Sequence, residues 1–85
     1  MKHRATRGFW RRYRVLSPEV RRLADAGYVL LKGDARHPSL HVKKVGQYWS
    51  VRVGLHYRAL AIEDGADLVW FWIGHHAEYD RLIGS

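Results

Sequence analysis

The residues best suited to chemistry stand at the end of the most apolar run in the chain. In WFWIGHHAEYDRL (70–82), Trp70, Phe71, Trp72 and Ile73 lead directly into His75 and His76, then Glu78, Tyr79 and Asp80. An imidazole exchanges protons near neutral pH, so a histidine here could act as a general acid or base. Adjacent side chains on a strand point to opposite faces, so only one of the two can serve a given site. Tyr79 lies three residues beyond His76 and shares its face in a helical turn. It could stack on a nucleobase or orient the imidazole. The opposing explanation is that both residues simply cap the end of a sheet.

Arg58 interrupts an otherwise apolar strand pattern, HYRALAI (56–62). A half-buried guanidinium is costly unless it is paired or aimed at an anion. Its planar fork matches phosphoryl oxygens, although a structural salt bridge to Glu63 or Glu78 would also account for it. Arg52 alternates onto the same side as Tyr48 and Ser50, where it would either bind a substrate backbone or remain a solvated charge. Lys43 and Lys44 precede a turn and would steer RNA as phosphate contacts, or be plain surface charge. His41 and His56 are further proton carriers. The chain has six histidines and no cysteine. Disulfides and thiolate metal sites are therefore excluded, and neither a metal nor another cofactor is expected.

Charge sharpens the picture. The net charge is +7 with a pI near 10.3. Residues 1–47 carry 12 Lys/Arg against 3 Asp/Glu, whereas residues 48–85 carry 3 against 5. A basic half of this kind suits a polyanion or an acidic partner. No apolar run is long enough to span a membrane, and the basic N-terminus lacks the apolar core of a secretory signal. A cytoplasmic location is the expectation. With 85 residues the chain forms one domain, 1–85.

The elements that must position these residues read as follows. Thr6 is an N-cap, and Phe9, Tyr13 and Leu16 recur near helical spacing, which predicts a helix over 6–15. Ser17-Pro18-Glu19 reads as N-cap, N1 proline and first-turn acid. The stripe Val20, Leu23, Ala24, Gly27, Tyr28, Leu31 predicts a second helix over 18–32, with Gly33 as its C′ residue. After the turn-rich segment 34–39 the period changes to alternation. Strands are predicted at 40–45, 48–53, 56–62 and 68–73, the last apolar on both faces and hence central. Asp64-Gly65 marks a hairpin, and HHAEYDRLIG predicts a short terminal helix. The fold class is α+β: a two-helix hairpin packed on one face of a four-stranded antiparallel sheet, with the other face partly open.

At this level the chain resembles the RelE/ParE superfamily of toxin–antitoxin toxins. The likeness covers residues 6–83 and is carried by HPSLHVKKVGQYWSVRVGLHYRAL (37–60), with its spacing of Tyr48-Trp49-Ser50, Arg52 and Arg58, and by IGHHAEYDRL (73–82). The resemblance implies a small basic toxin, neutralised by an acidic antitoxin and able to assemble with it into an oligomer. RelE-type members cleave messenger RNA, commonly on the ribosome. ParE-type members share the fold and poison DNA gyrase without cleaving RNA. Arg58 falls where the family places the arginine that stabilises charge on the scissile phosphate, and His76 matches the histidine of the closing motif. The pattern also departs from the family: lysines used by one branch are replaced by Trp49 and Val51, and a glutamate used by another finds only Pro38 or Ser39. The expectation is therefore a metal-independent endoribonuclease of the histidine-using kind, with Arg58, His76 and Tyr79 catalytic and Arg52, Lys43 and Lys44 binding RNA. The alternatives are a gyrase inhibitor and a non-toxic basic nucleic-acid-binding module.

Overall fold

The computed structural model describes residues 2–84. Strand β1 (His3–Ala5) opens the chain, followed by helices α1 (Arg7–Arg14) and α2 (Pro18–Gly33). Next come β2 (Lys43–Val45), β3 (Tyr48–Val53), β4 (Tyr57–Asp64), β5 (Asp67–His75) and α3 (His76–Leu82). Both early helices start as their caps dictate. The Thr6 hydroxyl accepts from the Phe9 amide at 3.1 Å, and the Ser17 hydroxyl accepts from the Val20 amide at 3.2 Å, with Pro18 at N1. Gly33 is the last residue of α2 rather than the residue beyond it, and Asp34 is the C-cap.

The sheet has five strands in the order β1-β5-β4-β3-β2, and β1 lies parallel to β5. The expected four-stranded antiparallel meander is thus corrected to a five-stranded mixed sheet. Three residues give no readable alternation, and their partners stand some 65 positions away: His3 faces Leu68, Arg4 faces Val69 and Ala5 faces Trp70. Backbone bonds flank the pairing, from the Leu68 amide to the Lys2 carbonyl and from the Thr6 amide to the Trp70 carbonyl, each 2.9 Å, and side chains add to it. Arg4 bonds Asp64 and also lies 3.4 Å from Asp67. The His3 ring stacks 6.2 Å from Trp70, accepts its indole N–H at 3.2 Å, and meets the edge of Tyr28. Burial there, with nearby positive charge, holds the His3 imidazole below its ordinary pKa.

The first strand after the helices is shorter than expected. Residues 38–40 form a 3-10 turn that buries Leu40, and His41 adopts a left-handed conformation (φ 47°), so strand geometry begins only at Lys43.

A bulge in β5 decides which side chains reach which face. Leu60 pairs with Trp72 and Ala61 with Trp70, so Phe71 has no partner across the ladder. Simple alternation would place Trp70 and Trp72 together. The extra residue switches the phase instead. Trp70 joins the helix-side core with Leu31, Leu40, Val51, Val53, Ala59, Ala61, Leu68 and Ile73. Trp72 joins Leu60 and Tyr79 on the opposite side, flanked by Tyr48, Phe71 and Ile83. The second face is therefore not open at this point: α3 covers it.

Gly74 is required by this arrangement. A Cβ there would stand 2.6 Å from Cζ2 of Trp72, whose ring is almost fully buried. Overpacking of this kind costs about 1–3 kcal/mol. Gly74→Ala is expected to lower the melting temperature by about 4–8 °C for each kcal/mol, whereas Gly33→Ala, with nothing near its Cβ position, should not. Thermal denaturation of the two variants checks this. An unchanged midpoint for Gly74→Ala would refute the packing.

Candidate active site

Strand parity assembles the candidate residues on the α3 side of the sheet. Arg52 on β3 stands directly across from Arg58 on β4, which in turn faces Gly74 on β5. Like charges placed opposite each other destabilise a sheet, and no ion pair among the described residues supplies a carboxylate to either arginine. Glu63, a candidate partner for Arg58, is taken by other groups: it accepts from the Trp49 indole N–H at 2.7 Å and lies 3.5 Å from the Lys44 ammonium. These two contacts, the indole bond first, hold its carboxyl below the usual pKa.

Arg58 is half-buried. Its Nη1 donates to the Tyr57 carbonyl at 2.9 Å, and its guanidinium lies 6.0 Å from the centre of the Tyr79 ring. Arg52 reaches to the edge of the sheet, where its Nη1 lies 3.2 Å from Nε2 of His41. Its Nε is buried without a hydrogen-bond partner.

The lysines separate. Lys43 pairs with Ser50 and so shares the face of Arg52 and Arg58. Lys44 pairs with Trp49 on the helix side, where its ammonium sits 5.2 Å from the Trp49 ring and bridges to Glu63.

The histidines form a cluster at the end of the β4–β5 ladder. His56 precedes β4, and its carbonyl accepts the His76 amide at 2.7 Å. Ring centres are 4.5 Å apart for His75 and His76, 6.1 Å for His56 and His76, and 6.2 Å for His56 and His75. His56 is two residues from Arg58, and His76 is two residues from Gly74, which faces Arg58. That offset is about 7 Å along extended chain. The two adjacent histidines have different duties. His75 is the N-cap of α3, its Nδ1 accepting from the Ala77 amide at 3.1 Å. His76 projects a partly exposed ring, with Nδ1 3.9 Å from the Asp80 carboxylate. Among the described residues, no three His, Asp or Glu side chains converge as a metal site.

Tyr79 is only 4% exposed, packed against Leu60 and Trp72, and its hydroxyl is buried without a partner. Its ring is the floor beneath Arg58 and offers no free surface to a base. Sequence reasoning missed this burial, because the covering of the second face depends on the bulge at Phe71. It also missed the approach of His41 to Arg52, which arises from the left-handed turn at 41.

The helix side carries a different feature. A cavity of about 240 Å³ lies between α1, α2 and the sheet, lined largely by apolar groups that include Phe9, Trp10, Tyr28, Leu31 and Trp70. Across it the Tyr13 hydroxyl donates to Asp25 at 2.7 Å, a bond that raises the Tyr13 pKa. No helix among the described residues is long and apolar enough to cross a membrane.

These features define a class: a small basic α+β domain with an arginine pair and an imidazole cluster on one face of its sheet. The ParE-like toxin domain model matches residues 18–81, and the chain belongs to that family. Solved structures share the fold. A chain of the RelB–RelE antitoxin–toxin complex from Methanococcus jannaschii superposes with a TM-score of 0.72 at 17% identity, over 92% of this chain and 96% of that one. The YoeB/ParE toxin from Agrobacterium tumefaciens gives 0.70 at 16% identity, over 89% and 99%. A copper-bound mutant toxin from Helicobacter pylori gives 0.62 at 14% identity, over 92% and 97%. No curated protein matches the sequence significantly.

Proposed function

We propose that this toxin cleaves messenger RNA on the ribosome by metal-independent proton transfer. The observation that carries the reading is the Arg52–Arg58 pair, facing each other without a carboxylate and lying beside the imidazole cluster. Such a pair is relieved by an anion, and a phosphodiester is the anion that also needs the histidines. In the reaction, a ribose 2′-hydroxyl attacks the adjacent phosphorus. Arg58 stabilises the charge that develops on the phosphoryl oxygens, and His76 moves a proton. The products are a 2′,3′-cyclic phosphate and a 5′-hydroxyl. Arg52 and Lys43 hold the RNA backbone from the same face. Tyr79 acts through Arg58, positioning its guanidinium. Lys44, tied to Glu63 on the other face, is not part of this surface.

Expression without a neutralising partner is expected to halt growth, with methionine incorporation falling before thymidine incorporation in pulse labelling. A toxin directed at DNA gyrase is the competing reading. It predicts the opposite order, and that result would overturn the nuclease reading.

The partner in this reading is an acidic antitoxin, consistent with the antitoxin–toxin complex among the structural neighbours. Its docking surface is the helix side. The cavity there supplies an apolar seat, and α1 presents Arg7, Arg11 and Arg14 with no acidic residue, while the Arg12 guanidinium lies 5.9 Å from the centre of the Trp72 ring. An acidic amphipathic segment fits both. The complex should weaken as salt rises, and Arg11→Glu with Arg14→Glu should weaken it further. Binding titrations at two ionic strengths check this. Indifference to both changes would place the partner elsewhere.

A further inference from the structure

We propose that His56 is the second proton-transfer group of this site, acting on the opposite side of the scissile phosphate from His76. The inference rests on the nuclease reading and deepens it.

Transphosphorylation moves two protons. One leaves the 2′-hydroxyl as the 2′-oxygen–phosphorus bond forms, and one arrives at the 5′-oxygen as the phosphorus–5′-oxygen bond breaks. The proton count balances when one neutral imidazole accepts and one imidazolium donates. A single histidine cannot stand on both sides of an in-line displacement. Each group must come within about 3 Å of its own oxygen. The rings of His56 and His76, 6.1 Å apart, can reach different oxygens of one phosphodiester.

The spacing is built in. The 2.7 Å bond from the His76 amide to the His56 carbonyl ties the two backbones together. Gly54, at φ 64° with Leu23 Cδ1 2.8 Å from its Cβ position, fixes the turn that delivers His56 to the start of β4. Arg58 follows two residues later. His75 is not the alternative, because its Nδ1 is committed to the Ala77 amide and its ring meets the edge of Tyr57. The His56 side chain is exposed, and no hydrogen bond to it is formed among the described residues. The titratable and charged groups around the pair are His75, Tyr57 and Arg58 from the strands and Asp80 from α3.

The test uses the purified full chain and a short RNA on programmed ribosomes, with initial rates followed from pH 5 to 9. Wild type should give a bell-shaped profile. His56→Gln and His76→Gln should each lower the rate roughly 10²–10⁴-fold and each abolish a different limb of the bell. A substrate whose 5′-bridging oxygen is replaced by sulfur needs no proton on its leaving group. It should restore one of the two variants and not the other. A purely structural His56 would not produce that selectivity. If His56→Gln keeps the wild-type rate and both limbs, the inference fails and the nuclease reading stands. If the wild type cleaves no RNA, the nuclease reading fails and takes the inference with it.

Discussion

In the proposed reading, Arg58→Ala is expected to fold normally and to cleave RNA roughly a hundredfold to a thousandfold more slowly than wild type, a loss of about 3–4 kcal/mol of transition-state stabilisation. The stability side of this expectation follows from the neighbours of Arg58. Truncation removes a like charge from opposite Arg52, which is favourable. It also removes a cation–π contact with Tyr79, worth about 0.5–2 kcal/mol. The two effects oppose each other, so the melting temperature should move little. Arg58→Lys keeps the charge but loses the fork, and should fall between the two. The measurement is cleavage on programmed ribosomes beside thermal melting. An Arg58→Ala protein that is folded and within tenfold of wild type would remove Arg58 from the chemistry.

The second large effect separates two neighbours in the chain. His76→Gln should lose roughly 10²–10⁴-fold in rate with an unchanged melting curve, since glutamine keeps a hydrogen bond and cannot carry a proton at neutral pH. His75→Gln should do the reverse. It loses the cap of α3, which costs about 1 kcal/mol, and its rate should stay near wild type once the protein is folded. His75→Asn, able to cap, should recover most of that stability. Were the two swapped, with His75→Gln slow and His76→Gln fast, α3 would have to start one residue later than it does.

Much of this architecture could be read from local chemistry. Thr6 and Ser17-Pro18 announced their helices because a cap is a contact within three residues. Asp64-Gly65 announced its hairpin for the same reason. Parity along β3 put Arg52 on the side of Tyr48 and Ser50. The same parity separates Lys43 from Lys44, which the sequence groups together as RNA contacts. What could not be read depends on distant partners. β1 exists only because Leu68, Val69 and Trp70 offer it an edge. The bulge at Phe71 is one extra residue in an apolar run, with no residue type to mark it, yet it sends Trp72 to the α3 side and leaves Tyr79 buried beneath Arg58. The distinction between His75 and His76 turns on where extended chain becomes helix, a boundary that composition does not set.

The parallel docking of β1 has a consequence for biosynthesis. Of all the strands it is translated first, yet it pairs only with β5, so it cannot join the sheet until residues 68–70 have emerged. Gly74, His75 and His76 are made later still. A nascent chain carrying Arg52 and Arg58 but not yet β5 therefore holds the arginines without the imidazoles at the end of that strand. Elongation proceeds at about 5–20 residues per second, so this incomplete state lasts only seconds. In the proposed reading, the polypeptide stays harmless to the ribosome that is making it until β5 and α3 have been made.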